Sequence, residues 1–234
     1  MSGDTERHGS TKTAIALVAT SLVGIAAFGM VLFWPAGTFD YWQAWAFIGV
    51  FSLCTLVPSI YLLVKDPDAL RRRMHAGPGA ETRTVQKIVM AGGVLLVPGV
   101  MVFSALDHRF GWSDVPAAIS VIGLALVGVG LSLSQFVVIQ NSYAAATITV
   151  EESQRIVSTG LYGLVRHPLY VGVIIMMAGV PPALGSWWGL LVLIPCFAGL
   201  AVRIADEEKM LEQELAGYRE YEQKVRYRLV PLVW

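Results

Sequence analysis

The chain has 234 residues, of which 55% are hydrophobic and 15% charged, against about 25% charged in an average soluble domain, and its mean hydropathy is +0.61. Seventeen Lys and Arg balance seventeen Asp and Glu, so no net field exists to hold a nucleic acid, and the apolar content excludes intrinsic disorder. An integral membrane protein remains, with about half of its residues in lipid.

In chain order, Met1–Lys12 is polar and precedes an uncharged apolar run, Thr13–Trp34. The run is longer than the ~7–15-residue core of a signal peptide, so it is expected to remain as a first span. Trp42–Val64, Ile88–Leu106 and Val115–Ile139 are three further uncharged runs, each long enough to cross roughly 30 Å of hydrocarbon as a helix. The apolar stretch from Tyr170 to Val202 is interrupted by Pro181-Pro182 and by Gly185-Ser186. Two adjacent prolines deprive a helix of backbone hydrogen bonds, which divides this stretch into a tight hairpin with short halves at 170–182 and 187–202. From Arg203 to Val225 the residues Ile204, Leu211, Leu215, Tyr218 and Val225 recur at helical spacing, predicting a charged amphipathic helix with Gly217 as its break point. The expected fold is an all-α integral membrane protein of about six transmembrane helices, the last two a Pro-broken hairpin, plus a cytosolic C-terminal helix. Its N-terminal region, 1–139, carries four spans and a basic linker at 65–87; its C-terminal region, 140–234, comprises loop 140–168, hairpin 170–202 and tail 203–225.

Six crossings sort the basic residues. Arg7, Lys12, Lys65, Arg71, Arg72, Arg73, Arg83, Lys87, Arg155, Arg166, Arg203, Lys209, Arg219, Lys224, Arg226 and Arg228 fall on one side, and only Arg109 on the other. An excess of Lys and Arg marks cytoplasmic segments, so both termini are expected in the cytoplasm. Trp34, Trp42, Trp45, Trp112, Trp187 and Trp188 all fall at the opposite ends, as an interfacial aromatic belt requires. The connections on that opposite side, Pro35–Tyr41, Asp107–Asp114 and Ala183–Ser186, are short and carry little chemistry, which directs function to the cytoplasmic side.

Among the inner segments, Arg71-Arg72-Arg73 reads as an anchor to anionic headgroups, at about 1 kcal/mol per basic residue, and Ala76–Ala80 as a loop. Cys54 and Cys196 stand alone in apolar runs and form neither a disulfide framework nor a metal-ligand spacing. The tail holds seven of the seventeen acids, an unusual composition for a helix merely resting on an anionic leaflet. Arg203 and Glu207, four residues apart at the membrane boundary, share one helical face and form either a structural ion pair or part of a polar pocket. The segment Val150–Tyr170 gathers Gln154, Arg155, Tyr162, Arg166, His167 and Tyr170 near bilayer depth. Pro168 fixes its own φ and pushes His167 toward extended backbone. Irregular backbone at that depth persists where it is buried in protein or lines a cavity, and the crowding of His, Arg and Tyr favours a ligand site.

RHPLYVG at 166–172, preceded by VSTGLY at 157–162 and followed by R-x-x-x-E-E at 203–208, GYREY at 217–221 and RLVP at 228–231, resembles the isoprenylcysteine carboxyl methyltransferase family and the related phospholipid N-methyltransferases. The resemblance covers about 140–234. It implies a membrane-embedded methyltransferase that uses S-adenosylmethionine and acts on a lipophilic acceptor such as an isoprenylcysteine carboxylate, a phospholipid or another small lipid, with no metal. Carried over residue by residue, Gln154, Arg155, Ile156 and Val157 resemble a strip that contacts the cofactor, and Tyr162 with His167, Pro168, Leu169 and Tyr170 resembles its cradle. Glu207 matches the family's cofactor-binding acid and Arg203 its acceptor-orienting arginine. A related fold uses a similar R-H-P-x-Y element for NADPH in membrane sterol reductases, which leaves a reductase as the alternative enzyme. A non-catalytic scaffold or transporter is the alternative outside enzymes, disfavoured because the first four spans carry no ionisable residue at mid-bilayer.

Overall fold

The computed structural model describes residues 2–67, 70, 83–141 and 156–234, with side chains from residue 13 onward. The predicted Gln154 and Arg155, the Arg71–Arg73 anchor and the Ala76–Ala80 loop lie outside the described residues. Every regular element among those described is helical: α1 (Ser2–Ala36), α2 (Trp42–Lys65), α3 (Thr84–Phe110), α4 (Ala117–Gln140), a 3-10 turn (Gly160–Gly163), α5 (Pro168–Ala183), α6 (Gly189–Glu214) and α7 (Tyr218–Lys224). Five stretches are long and apolar enough to cross a membrane: Thr13–Ala36, Trp42–Lys65, Thr84–Phe110, Ala117–Gln140 and Gly189–Glu214. The shorter α5 has 16 residues, about 24 Å at ~1.5 Å per residue, against roughly 30 Å of hydrocarbon. These helices make a multi-pass membrane protein.

The hairpin turns where the sequence places it: Pro181 and Pro182 lie inside the last turn of α5, and the chain reverses just beyond them at Gly185, where φ is +72°. One boundary differs from the sequence expectation. The second half of the hairpin and the charged tail are one continuous helix, α6. Hydropathy falls sharply at Arg203, but Ala, Arg, Asp, Glu, Lys, Met and Leu through this region are adequate to good helix formers, so nothing ends the helix there. It ends at Leu215, and Gly217, with φ +84°, turns the chain into α7.

The closest helix pair is antiparallel α4 and α5, where Gly123 and Gly130 face Gly179 and Gly172. A Cβ on Gly130 would lie 2.5 Å from the Gly172 carbonyl and 2.8 Å from Met176 Cα, and one on Gly179 would lie 2.6 Å from the Gly123 carbonyl. In lipid, where burial of apolar surface provides little drive between helices, such small residues permit the van der Waals contact that holds them together. The main apolar core lies toward the tryptophan-bearing end and includes Leu32, Phe47, Val100, Val127, Met177, Ala183 and Leu184.

The connections at that end form a clamp. Asp107 is fully buried and accepts from Ser113 N–H at 2.7 Å, Ser113 Oγ at 2.7 Å and Ser186 Oγ at 2.5 Å. Tyr41 stacks on His108 at 3.9 Å and donates its hydroxyl to the Leu184 carbonyl. These bonds fasten the ends of α3 and α5 together and leave the opposite, basic end to carry a polar site.

Candidate active site

The backbone leading into α5 fits the sequence expectation. Ile156–Ser158 is irregular, the 3-10 turn follows, and His167 is the N-cap with Pro168 in the first turn. Proline is suited to that position because its missing N–H has no partner to lose there. The chain's end adds a short rung: Arg166 N–H donates to the Tyr227 carbonyl at 2.9 Å and His167 N–H to the Arg228 carbonyl at 3.0 Å.

Opposite this turn, α6 presents three consecutive acids, Asp206, Glu207 and Glu208, each about 100° round the helix from the next. Each meets a different part of the protein. Asp206 receives both arms of Arg83, at 2.7 and 3.0 Å, and Gln86 Nε2 at 2.7 Å from the start of α3. Glu207 accepts the Tyr170 hydroxyl of α5 at 2.7 Å, and the same hydroxyl receives Arg203 Nε at 3.0 Å. Glu208 lies 2.8 Å from Arg166 Nε, 3.2 Å from His167 Nε2 and 2.7 Å from Arg228 Nε. Arg166 also reaches Glu222 of α7 at 2.7 Å.

Tyr170, Arg203, Glu207 and His167 thus converge, with His167 Nδ1 at 4.0 Å from Glu207 and its ring 5.7 Å from that of Tyr170. Arg203 and Glu207 share a face, as their spacing predicts, but the Tyr170 hydroxyl stands between Arg203 Nε and the carboxylate. Pro168 is buried beneath the turn. Leu169 points elsewhere, packing with Leu62, Leu70 and Val138. Ile156 joins Tyr218, Tyr221, Val225, Leu211 and Leu215 in the apolar cluster of the tail, and Val157 is half-buried beside it in sequence. Tyr162 gives its carbonyl to the Tyr221 hydroxyl at 2.8 Å, and burial, together with the charge of Glu207, pushes its phenol up to about 12 even though Asn141 hydrogen-bonds it. Burial likewise pushes the Tyr218 and Tyr221 phenols well up.

The sequence reading omitted the roles of Asp206, Glu208, Arg83, Gln86 and Arg228. The signal for the acids was the unbroken D-E-E run; the basic partners are far away in sequence and carry no local mark. Among the described residues no three His, Cys, Asp or Glu side chains converge to hold a metal ion.

One comparison with known proteins bears on this arrangement. The family model for phospholipid methyltransferases matches residues 118–216, the segment that contains all but the first residue of α4, the turn, α5 and the whole of α6. Over residues 118–216 the chain is similar to the phospholipid methyltransferase family. No curated protein matches the chain. The matched region includes the glycine-packed pair α4 and α5 and the three acids of α6, while Arg83, Gln86, Glu222 and Arg228, which hold those acids or their partners, come from outside it.

Proposed function

We propose that the protein transfers a methyl group from S-adenosylmethionine to a lipophilic acceptor, most specifically the carboxylate of an isoprenylcysteine-type molecule, from a site that faces the cytoplasm. The observation that carries the proposal is the Arg203–Tyr170–Glu207 chain of hydrogen bonds at the polar end of apolar helices in the matched region. The residues suit that cofactor. Glu207 engages Tyr170 through Oε2 and keeps 19% side-chain exposure, so its carboxylate can accept from ribose hydroxyls or an ammonium group. Tyr162, His167 and the backbone beside Pro168 supply aromatic surface and fixed polar groups for an adenine ring.

When bound, S-adenosylmethionine supplies an electrophilic methyl group. The chain's own task is alignment and exclusion of water, since a displacement of this kind gains most from holding the reactants in line. Arg203 orients an anionic acceptor through its guanidinium fork, and Tyr170 fixes the direction of that fork by accepting from Nε. A phospholipid amine, the acceptor class suggested by the family's description, is the second reading. The Arg203 charge disfavours it, because a cationic headgroup beside a buried guanidinium is repelled.

Titration calorimetry of the purified full chain with S-adenosylhomocysteine and with NADPH tests the reading. Binding of S-adenosylhomocysteine and none of NADPH is expected, and the reverse pattern sinks it in favour of a reductase. Glu207→Gln is expected to weaken S-adenosylhomocysteine about tenfold, or ~1.4 kcal/mol, with the fold retained. A labelled methyl group followed by mass spectrometry into membrane extracts then distinguishes an ester product from a methylated amine.

A further inference from the structure

Gln86 is a polar residue with 0% exposure in the first turns of α3. Its Nε2 donates to Asp206 Oδ2 at 2.7 Å and to the backbone carbonyl of Arg203 at 3.2 Å. Its Oε1 is buried without a hydrogen-bond partner, an arrangement that costs stability. A leucine would fill the space without that penalty, so stability alone does not account for the amide. What Gln86 does is grip α6 at two points within one turn, on the backbone of Arg203 and on Asp206. Arg83 takes the same carboxylate with both arms, a fork geometry that fixes orientation as well as distance. On the other side of this turn, Arg203 and Glu207 meet at Tyr170. A rotation of α6 by one residue, about 100°, would carry both away from it.

We propose that Arg83 and Gln86 are positioning residues: acting through Asp206 and the Arg203 carbonyl, they hold α6 at the rotation and depth that bring Arg203 and Glu207 to Tyr170. The inference rests on the methyltransferase reading for what that site binds. The test uses the full chain in detergent with Gln86→Leu, Asp206→Asn and the double variant Asp206→Asn/Gln86→Glu, which moves the carboxylate to α3 and lets the amide introduced on α6 donate to it. For Gln86→Leu, the Kd of S-adenosylhomocysteine is expected to rise about tenfold, ~1.4 kcal/mol, with melting within about 2 °C of the parent and faster hydrogen exchange across 203–208. The double variant is expected to recover most of the affinity lost in Asp206→Asn. An unchanged Kd for Gln86→Leu overturns the proposal, as do affinity losses that simply follow melting temperature with no recovery in the double variant. If the parent itself binds no S-adenosylhomocysteine, the methyltransferase reading falls, while exchange across 203–208 still decides whether the bracket holds α6: unchanged exchange in Gln86→Leu refutes it.

Discussion

Replacing Glu208 by Gln keeps the shape of the side chain and removes its charge. Glu208 and Arg166 both retain only 4% side-chain exposure, whereas Arg228 and Glu222 retain 35% and 29%. Removing one partner of a buried ion pair costs ~3–5 kcal/mol because the other charge is stranded. Glu222 still holds one arm of Arg166, which places the loss at the lower limit. The Arg228 contact is one-third exposed and adds at most ~1 kcal/mol, much of it screened by solvent. The expected destabilisation is therefore about 3 kcal/mol, and at ~2–4 °C per kcal/mol for a chain of this size the melting temperature should fall by about 6–12 °C. Thermal unfolding of the full chain in detergent, followed by intrinsic tryptophan fluorescence, measures it. Glu222→Gln, at a partly exposed site, is the internal comparison and should cost under ~1 kcal/mol. A shift below about 3 °C for Glu208→Gln would refute the view that this carboxylate latches α6 to the turn before α5 and to the end of the chain.

Tyr170→Phe removes the hydroxyl shared by Arg203 and Glu207 and is expected to weaken S-adenosylhomocysteine by about one order of magnitude in calorimetry, the loss of one charge-assisted hydrogen bond at ~1.5 kcal/mol. Gly130→Ala should lower the melting temperature, since its Cβ would lie 2.5–2.8 Å from α5 backbone atoms and overpacking costs ~1–3 kcal/mol. Gly128→Ala, whose Cβ would meet Val50 at an ordinary 3.6 Å, should be neutral or stabilising. Tyr162, Tyr218 and Tyr221 have folded-state phenol pKa values above the ordinary 10.0, so an unfolded tail releases these protons first as pH rises. Their contribution to stability is complete below pH 10 and declines above it; phenolate absorbance should show these tyrosines ionising only as the tail unfolds, and ionisation near pH 10 in the folded protein would contradict their burial.

The apolar runs, the helical entry at Pro168 and the break at Gly217 were legible because each depends on local chemistry: hydropathy over a window, a missing N–H, a positive φ. The end of α6 was not, because a change in hydropathy coincides with no change in helix propensity at Arg203. The shared face of Arg203 and Glu207 follows from four-residue spacing, yet the Tyr170 hydroxyl between them depends on how α5 packs against α6. Gln86 and Arg83 were invisible for the same reason. Arg83 lies more than a hundred residues from Asp206, and in sequence it is one more basic residue at a membrane boundary.

The three acids of α6 are constrained more tightly together than any one is alone. A one-residue slip of the helix rotates it by about 100° and presents each carboxylate to its neighbour's partners. Asp206 would then leave Arg83 and Gln86, and the nearly buried Arg166 would lose Glu208. Stranding even one such charge costs several kcal/mol, a large share of a typical folding free energy of ~5–15 kcal/mol. Lipid-facing apolar positions resist rotation of a helix only weakly, because one hydrocarbon contact replaces another at little cost. In a helix whose first half is apolar, the D-E-E run with its three separate sets of partners is therefore what selects a single rotation, and the alignment of Arg203 and Glu207 on Tyr170 follows from that selection.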